Sequence, residues 1–156
     1  MAKDKPLKLS HDELAEVVRL APLVSIDLII ENSKGRVLLG MRNNEPAKGF
    51  WFVPGGRILK NERIAEAFER VMKDELGIDA DHNDAEFVGA FDHMYDTNFA
   101  LREGFGTHYV VLAHRIKLND DVKIKADDQH SKLLWLDKDQ ILSNDKVHPH
   151  TKAYFS

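Results

Sequence analysis

Apolar residues occur along the chain either in short continuous runs or at the spacing of a helical turn, and these two patterns predict where strands and helices lie. The runs at residues 23–31 and 37–42 are rich in branched apolar side chains, which is typical of strands. Residues 32–35 between them, Asn-Ser-Lys-Gly, have the composition of a hairpin turn. Shorter apolar runs predict further strands at residues 52–53, 87–91, 108–117 and 133–136.

Helical spacing predicts three helices. Ser10 and Glu13 have the Ser-x-x-Glu spacing of a capping box, so a helix is expected over residues 12–20. A central helix is expected between Asn61 as N-cap and Gly77 as the residue that ends it. A short helix is predicted at residues 137–142. This order predicts a mixed sheet with flanking helices, an α/β arrangement.

One face of the predicted central helix is apolar except for a single carboxylate. The apolar positions are Ile64, Ala67, Phe68, Val71 and Met72. Glu75 falls in the middle of this face. Burying an unpaired charge costs several kcal/mol, so Glu75 must be protonated, paired with a cation or coordinated to a metal.

A second face of the same helix carries charges at roughly one-turn spacing, at Glu62, Glu66, Arg70 and Asp74. Side chains three or four residues apart are neighbours on a helix. We therefore expect the glutamates to pair with Arg70 and hold the helix in place.

Length and composition are typical of one enzyme domain spanning residues 1–156. A chain of 156 residues with 43% hydrophobic content can bury a sizeable core, but leaves no room for a second full domain.

The net charge of −4 argues against non-specific binding to nucleic acid, which needs clustered basic residues. No apolar run approaches the roughly 20 residues that span a bilayer, and cysteine is absent. We expect a soluble, cytoplasmic protein without a membrane partner.

The turn before the central helix predicts a cation site. Pro54-Gly55-Gly56 approaches an acidic helix, and carboxylate and backbone oxygens bind hard divalent cations while leaving positions open for phosphate oxygens. Arg42 and Arg57 flank residues 50–52 and are spaced to approach one phosphate-bearing ligand with forked hydrogen bonds. A diphosphate is the expected substrate group.

The central segment resembles the signature box of the Nudix hydrolase family. The matching positions are Gly56, Glu62, Arg70, Glu75, Gly77 and Ile78. The resemblance implies the Nudix α/β/α sandwich with a mixed β-sheet. The usual box has a glutamate directly after its arginine and a later Glu-Glu pair, whereas this chain has Val71 and then Asp74-Glu75. One of three clustered acids is missing, which implies fewer metals or different chemistry.

One Nudix branch, the GDP-mannose mannosyl hydrolases, resembles this chain well outside the box. The segments that carry this similarity are residues 22–27, 39–42, 49–57, 108–112, 129–130 and 147–148. The resemblance implies a nucleotide-sugar substrate and a homodimer. It also implies one Mg²⁺, with Mn²⁺ as an alternative ion, held by the Gly55 carbonyl, Glu75 and the side-chain amide of Gln129.

The same resemblance assigns roles to the substrate contacts. Arg42, Arg57 and Tyr109 would bind or neutralise the diphosphate, and Asp27 would bind the sugar. His93 is implied as a further substrate contact, in a polar and aromatic segment at residues 92–106 that is predicted as a loop able to close over the substrate. 

His130 would be the general base. It follows Asp127-Asp128-Gln129 in a predicted loop, where a carboxylate can orient the imidazole and keep its pKa near neutrality.

These residues leave three hypotheses for function. The first is hydrolysis of GDP-mannose, or of GDP-glucose, to GDP and free sugar by attack of water on the anomeric carbon with inversion. The second, supported by Asp74, is an ordinary Nudix pyrophosphohydrolase that releases a nucleoside monophosphate and a sugar 1-phosphate. The third is a nucleotide-sugar sensor that binds without hydrolysis, and retention of Glu75 and His130 argues against it.

Overall fold

A mixed β-sheet with helices on its faces forms the described part of the chain, and it confirms the α/β class. The computed structural model describes residues 6–119, 124 and 130–156, with only the backbone described at His130 and Ser131. Within these residues the sheet has seven strands. They are β1 (Leu23–Glu31), β2 (Val37–Arg42), β3 (Trp51–Phe52), β4 (Gly55–Arg57), β5 (Glu86–Tyr95), β6 (Thr107–Lys117) and β7 (His130–Leu136).

Strand β1 lies at the centre of the sheet. The main strand order is β3-β2-β1-β6-β5, with β4 paired to β1 and β7 paired to β2. β1 runs parallel to β6 over its whole length and antiparallel to β2 and β4. The predicted turn between β1 and β2 is confirmed, because the Asn32 side chain accepts hydrogen bonds from the backbone of Lys34 and Arg36.

Four helices accompany the sheet in the described residues: α1 (His11–Leu20), α2 (Ile64–Leu76), α3 (Lys138–Ser143) and α4 (Pro149–Lys152). The predicted capping box of α1 is confirmed by hydrogen bonds between Ser10 and Glu13 in both directions, at 2.9 and 3.2 Å. No helix in the described ranges has the length and apolar character needed to cross a bilayer.

Side chains of β1 are buried on both faces of the sheet, because alternate residues of a strand point to opposite sides. Ile26, Leu28 and Ile30 pack in one core with the apolar face of α2. Ile29 lies in the other core, which includes Ile141 of α3 and the C-terminal residues Val147, Tyr154 and Phe155. The sheet is therefore enclosed between two layers, as in the expected sandwich.

The predicted start of the central helix is wrong by two residues. Asn61 has a left-handed backbone conformation with φ of 69° and does not cap the helix; the N-cap is Arg63, which makes no side-chain capping bond. A tight turn thus intervenes between the glycines and α2, and the Glu62 carboxylate accepts a hydrogen bond from the Leu59 backbone. The predicted end is confirmed, because Gly77 has φ of 69° and its N–H bonds to Lys73.

Arg70 ties α2 to the preceding loop. Its guanidinium bonds to Glu62 at 2.6 and 3.0 Å and to the Arg57 carbonyl at 2.7 Å. The Glu62 side chain is only 3% exposed. Burial would raise the pKa of Glu62, but hydrogen bonds from Arg70 and the Leu59 backbone outweigh this effect and lower it. Because Glu62 precedes the helix, this pairing is a tertiary contact rather than part of a helical ladder.

Other boundaries also differ from the prediction. The segment predicted as a loop at residues 92–106 begins inside β5, because Asp92 to Tyr95 pair with β6. His130 begins β7 instead of lying in a loop, since its backbone pairs with Arg42. β3 lies one residue earlier than predicted, and β4 and α4 were not predicted. Short strands of two or three residues carry too little periodicity to be identified from sequence.

The contact between Glu62 and Arg70 predicts a large loss of stability when it is broken. Glu62→Ala leaves Arg70 partly buried without its main partner and should lower the free energy of unfolding by ~3 kcal/mol. Lys73→Ala, also on α2, removes an exposed ion pair with Asp79 beyond the end of the helix and should change the free energy of unfolding by less than about 0.5 kcal/mol. Urea denaturation measures both; equal losses would contradict a special role for Glu62.

Candidate active site

Strand pairing brings the predicted site residues together in pairs. Asp27 on β1 lies opposite Gly55 on β4, and His93 on β5 lies opposite Tyr109 on β6. Arg42 at the end of β2 lies opposite the backbone of His130. These strands are neighbours in the sheet, so residues far apart in sequence reach one region of its surface.

A cavity of about 410 Å³ lies at this region, between the sheet, α1 and α2. Seven of the predicted site residues line it: Asp27, Arg42, Gly55, Arg57, Glu75, His93 and Tyr109. Gln129 lies outside the described residues, and the described backbone of His130 fixes its strand position only.

Gly55 and Gly56 allow the loop before α2 to approach its neighbours closely. A Cβ at Gly55 would lie 2.5 Å from Asp27 Oδ1 and 2.6 Å from the Ile26 carbonyl oxygen. A Cβ at Gly56 would lie 3.0 Å from a methyl group of Val71. The first contact excludes any side chain at Gly55, which explains why glycine occupies the turn.

Glu75 is buried, with 7% of its surface exposed, and contributes to the wall of the cavity that also contains Gly55. Its position on the apolar face of α2 is as predicted. Asp74, the next acid of the box, is 59% exposed at its side chain and lies 3.5 Å from Arg70. The two adjacent acids therefore point to different surroundings, and Glu75 alone of the pair reaches the cavity.

The oxygen donors of this wall fit a hard divalent cation. Mg²⁺ prefers carbonyl and carboxylate oxygens and keeps several positions for water and phosphate, so the Gly55 carbonyl and Glu75 are suitable ligands. Among the described residues there is no cluster of three or more histidine, cysteine, aspartate or glutamate side chains that could hold a metal. Val71 occupies the place of the missing acid and is buried against Gly56.

The cationic side of the cavity is formed by Arg42 and Arg57 beside Tyr109. The guanidinium of Arg42 lies over the Phe52 ring, 5.5 Å from its centre, which favours a cation–π contact. Burial raises the pKa of Tyr109, while the charges of Arg42 and Arg57 act to lower it. Tyr109 is therefore a neutral hydroxyl near neutral pH, available as a hydrogen-bond donor beside two positive charges.

Asp27 forms the opposite, acidic part of the cavity. Burial raises the pKa of Asp27 to about 7, against the lowering effects of a hydrogen bond from Tyr154 and of the Arg42 charge. The Tyr154 hydroxyl donates to Asp27 Oδ2 at 2.5 Å. Sequence reasoning missed Tyr154, because a tyrosine in a short C-terminal segment carries no signal of a partner 127 positions away.

Three histidine rings lie together at the edge of the cavity, and two of them are stacked. The His93 and His150 rings are parallel at 4.4 Å, and His148 lies 4.6 Å from His150 and stacks on Phe52. Burial, together with the other histidines, lowers the pKa of His93 to about 4. Burial, His150 and Arg42 lower the pKa of His148 to about 4. Both rings are therefore neutral at pH 7.

Comparison with known proteins identifies related chains. The family model described as the NUDIX domain matches residues 21–155. The low-salt glycan biosynthesis protein Agl8 of Haloferax volcanii is 40% identical over 153 residues, covering 97% of this chain and 92% of that protein. An ADP-ribose pyrophosphatase of Methanocaldococcus jannaschii is 41% identical over 59 residues, covering 38% of this chain and 34% of that protein. The crystal structure of a MutT NUDIX hydrolase from Burkholderia pseudomallei superimposes with a TM-score of 0.70 at 25% identity, covering 86% of this chain and 95% of that one.

The stacked histidines predict a loss of stability in weak acid. The pKa values of His93 and His148 are near 4 when folded and rise to about 6.5 on unfolding, so unfolding takes up protons between these limits. This contribution of the two histidines is complete above pH 6.5 and decreases as the pH falls toward 4. Asp27, whose pKa is raised to about 7, contributes with the opposite sign and offsets only part of the effect of two histidines. His148→Asn keeps a side-chain acceptor for the His150 backbone at the start of α4 and should flatten this pH dependence.

The measurement is the free energy of unfolding at several pH values between 4 and 7 in wild type and variant. His11→Gln is the matched control, because that ring is 64% exposed and lies away from the stack. If the free energy of unfolding depends on pH with the same slope in wild type and His148→Asn, the result contradicts this account.

Proposed function

Because this chain belongs to the Nudix hydrolase family, we propose that it hydrolyses a GDP-sugar, with GDP-mannose as the first candidate, to GDP and free sugar. The observation that carries the proposal is the composition of one cavity. It combines two arginines and a tyrosine for a diphosphate, a carboxylate and a histidine for a sugar, and two oxygen donors for Mg²⁺. The name of the Haloferax volcanii relative places that protein in glycan biosynthesis, which agrees with a nucleotide-sugar substrate.

The diphosphate would lie beside Arg42, Arg57 and Tyr109. Arginine forms forked hydrogen bonds to phosphate oxygens, and the neutral Tyr109 hydroxyl can donate one more. These contacts become stronger as negative charge develops on departing GDP, so they would stabilise the transition state more than the bound substrate.

Mg²⁺ would be held by Gly55 and Glu75, with Gln129 as the third ligand implied by the resemblance, and Mn²⁺ as an alternative ion. When bound, it would supply positive charge against the leaving diphosphate. The presence of Val71 where the usual box has an acid supports a site with fewer metals. Sugar substitution needs mainly stabilisation of the leaving group, whereas attack on phosphorus relies on more extensive activation of water.

Asp27 and His93 would contact the sugar, and His130 would act as general base. A water molecule transfers a proton to His130 while its oxygen forms a bond to the anomeric carbon. The bond between that carbon and the diphosphate oxygen breaks, and GDP leaves with the electron pair. Because water attacks from the side opposite to the departing GDP in a single displacement, the configuration of the anomeric carbon should be inverted.

The first experiment identifies the initial products from GDP-mannose and Mg²⁺ by NMR. We expect the phosphorus spectrum to show GDP, and the sugar first released to be the β anomer of mannose. Removal of metal with EDTA should abolish turnover, and Mg²⁺ should restore it. Release of GMP and mannose 1-phosphate would overturn carbon–oxygen cleavage and establish the ordinary Nudix reaction.

Replacement of the proposed base gives a second prediction. His130→Gln should lower kcat by roughly 10²–10⁴-fold, the usual contribution of general base catalysis, with little change in the binding of Mg²⁺ and GDP. His11→Gln, on the exposed surface of α1, should leave kcat unchanged and serves as the control. Unchanged turnover in His130→Gln would remove this residue from the mechanism.

The pyrophosphohydrolase remains the second candidate function. It is favoured by the local match to the Methanocaldococcus jannaschii protein, which is named as an ADP-ribose pyrophosphatase. Against it, Asp74 is exposed, pairs with Arg70 and does not itself line the cavity. The product analysis separates the two reactions directly. The homodimer implied by the resemblance is also part of the proposal, and a monomeric mass in solution would disprove it.

A further inference from the structure

We propose that Tyr154 is a positioning residue that fixes the Asp27 carboxylate to accept a hydrogen bond from a hydroxyl group of the substrate's sugar. The inference rests on the proposed nucleotide-sugar substrate and adds a residue that neither the sequence motifs nor the comparisons indicate. It concerns the recognition of the sugar, and it does not depend on which bond of the substrate breaks.

The hydrogen bonds around Tyr154 define its role. Its hydroxyl lies 2.5 Å from Asp27 Oδ2 and 3.4 Å from His93 Nε2. A phenol has one proton to donate, and the ionised form of Asp27, which predominates above its pKa of about 7, can only accept. In that form the Tyr154 proton goes to Asp27. The tyrosine oxygen is then available to accept the proton of a neutral His93. One hydroxyl therefore connects both residues proposed to contact the sugar.

Tyr154 is itself held firmly. It is 9% exposed, and its ring packs edge-on against Phe91 with 4.9 Å between ring centres. Its backbone N–H bonds to the Thr151 carbonyl at 3.1 Å. The same C-terminal segment contacts β5 through His150, whose ring lies 3.1 Å from the Met94 carbonyl. A hydroxyl on this support has little freedom to follow a moving carboxylate.

The second oxygen of Asp27 is constrained from another side. Asp27 Oδ1 lies close to Gly55, within 2.5 Å of the place where a Cβ would be. Gly55 and Asp27 both line the cavity. Because Oδ1 lies beside the Gly55 backbone and Oδ2 is bonded to Tyr154, rotation of the carboxylate would break the bond to Tyr154.

A carboxylate fixed in this way discriminates between sugars. A hydroxyl group that points at the fixed oxygen forms a strong, charge-assisted hydrogen bond, whereas its epimer points elsewhere. A carboxylate that can rotate is able to accept a hydrogen bond from the hydroxyl group of either epimer. Loss of the Tyr154 hydroxyl should therefore weaken binding of the preferred sugar and reduce the preference between epimers, without changing the contacts to the diphosphate.

The test is Tyr154→Phe, which removes the hydroxyl and keeps the ring that packs on Phe91. For GDP-mannose we expect kcat/KM to fall roughly 10–100-fold, mainly through a higher KM, the scale expected for losing a hydrogen bond to a charged group. The inhibition constant of GDP, which lacks the sugar, should stay within about twofold of wild type. The ratio of kcat/KM for GDP-mannose to that for GDP-glucose should move toward one.

Two further variants separate positioning from a general structural effect. Thr151→Val removes a fully buried hydroxyl that has no hydrogen-bond partner in the described part of the chain, and should change none of these constants. In an Asp27→Ala background, which lacks the acceptor for the Tyr154 hydroxyl, Tyr154→Phe should change kcat/KM by less than about twofold, because its effect passes through Asp27.

The inference is overturned if Tyr154→Phe leaves kcat/KM and the sugar preference unchanged. It is also overturned if the variant weakens the binding of GDP as much as that of GDP-mannose. The same holds if Tyr154→Phe lowers kcat/KM by the same factor with and without the substitution at Asp27. Failure of the proposed function would be seen separately in the wild-type products. If GMP and mannose 1-phosphate appear, the same constants are measured for that reaction, because the sugar must be recognised before either bond breaks.

Discussion

The close approach of Gly55 to strand β1 is the contact on which the cavity depends. No side chain fits there, because a Cβ would overlap both Asp27 and the Ile26 carbonyl. The approach lets β4 pair with β1, and β4 leads through a tight turn into α2. Glu75 near the end of α2 and Asp27 on β1 thereby face the same space, although they are distant in sequence.

Packing around α2 also determines the chemistry that the cavity can support. Val71 fills the space beside Gly56 with methyl groups, and Arg70, which also lines the cavity, bonds to Glu62 and to the Arg57 carbonyl. These contacts hold the loop of Gly55 against the sheet through hydrophobic packing and one buried ion pair. Val71 therefore stands where the usual box has an acidic side chain, which leaves the cavity one possible metal ligand fewer.

The C-terminal segment joins the second hydrophobic core to the cavity. Tyr154 and Phe155 pack in that core, while the Tyr154 hydroxyl bonds to Asp27. The ring of His150, in the same segment, stacks on the ring of His93. Burial in this neighbourhood explains the low pKa values of His93 and His148 and the raised pKa of Asp27. Stability of the second core and geometry of the proposed sugar contact therefore depend on the same residues.

The sequence by itself determined the elements with strong local signals. The apolar periodicity of β1, β2 and α2, the capping box at Ser10 and the helix end at Gly77 all follow from interactions within a few residues, and the structure confirms them. The box motif also identified the family, and a carboxylate on an apolar face marked Glu75, which the structure places on the wall of the cavity. These features need no knowledge of distant contacts.

Tertiary structure decided what depends on long-range contacts. Asn61 adopts a left-handed conformation instead of capping the helix, in a turn where the next residue, Glu62, bonds to Arg70. Strand β5 extends to Tyr95 because β6 supplies its hydrogen bonds. Tyr154 reaches Asp27 only because two layers enclose β1. Pairing partners so far apart leave no periodic trace in the sequence, since their proximity is set by the packing of whole elements.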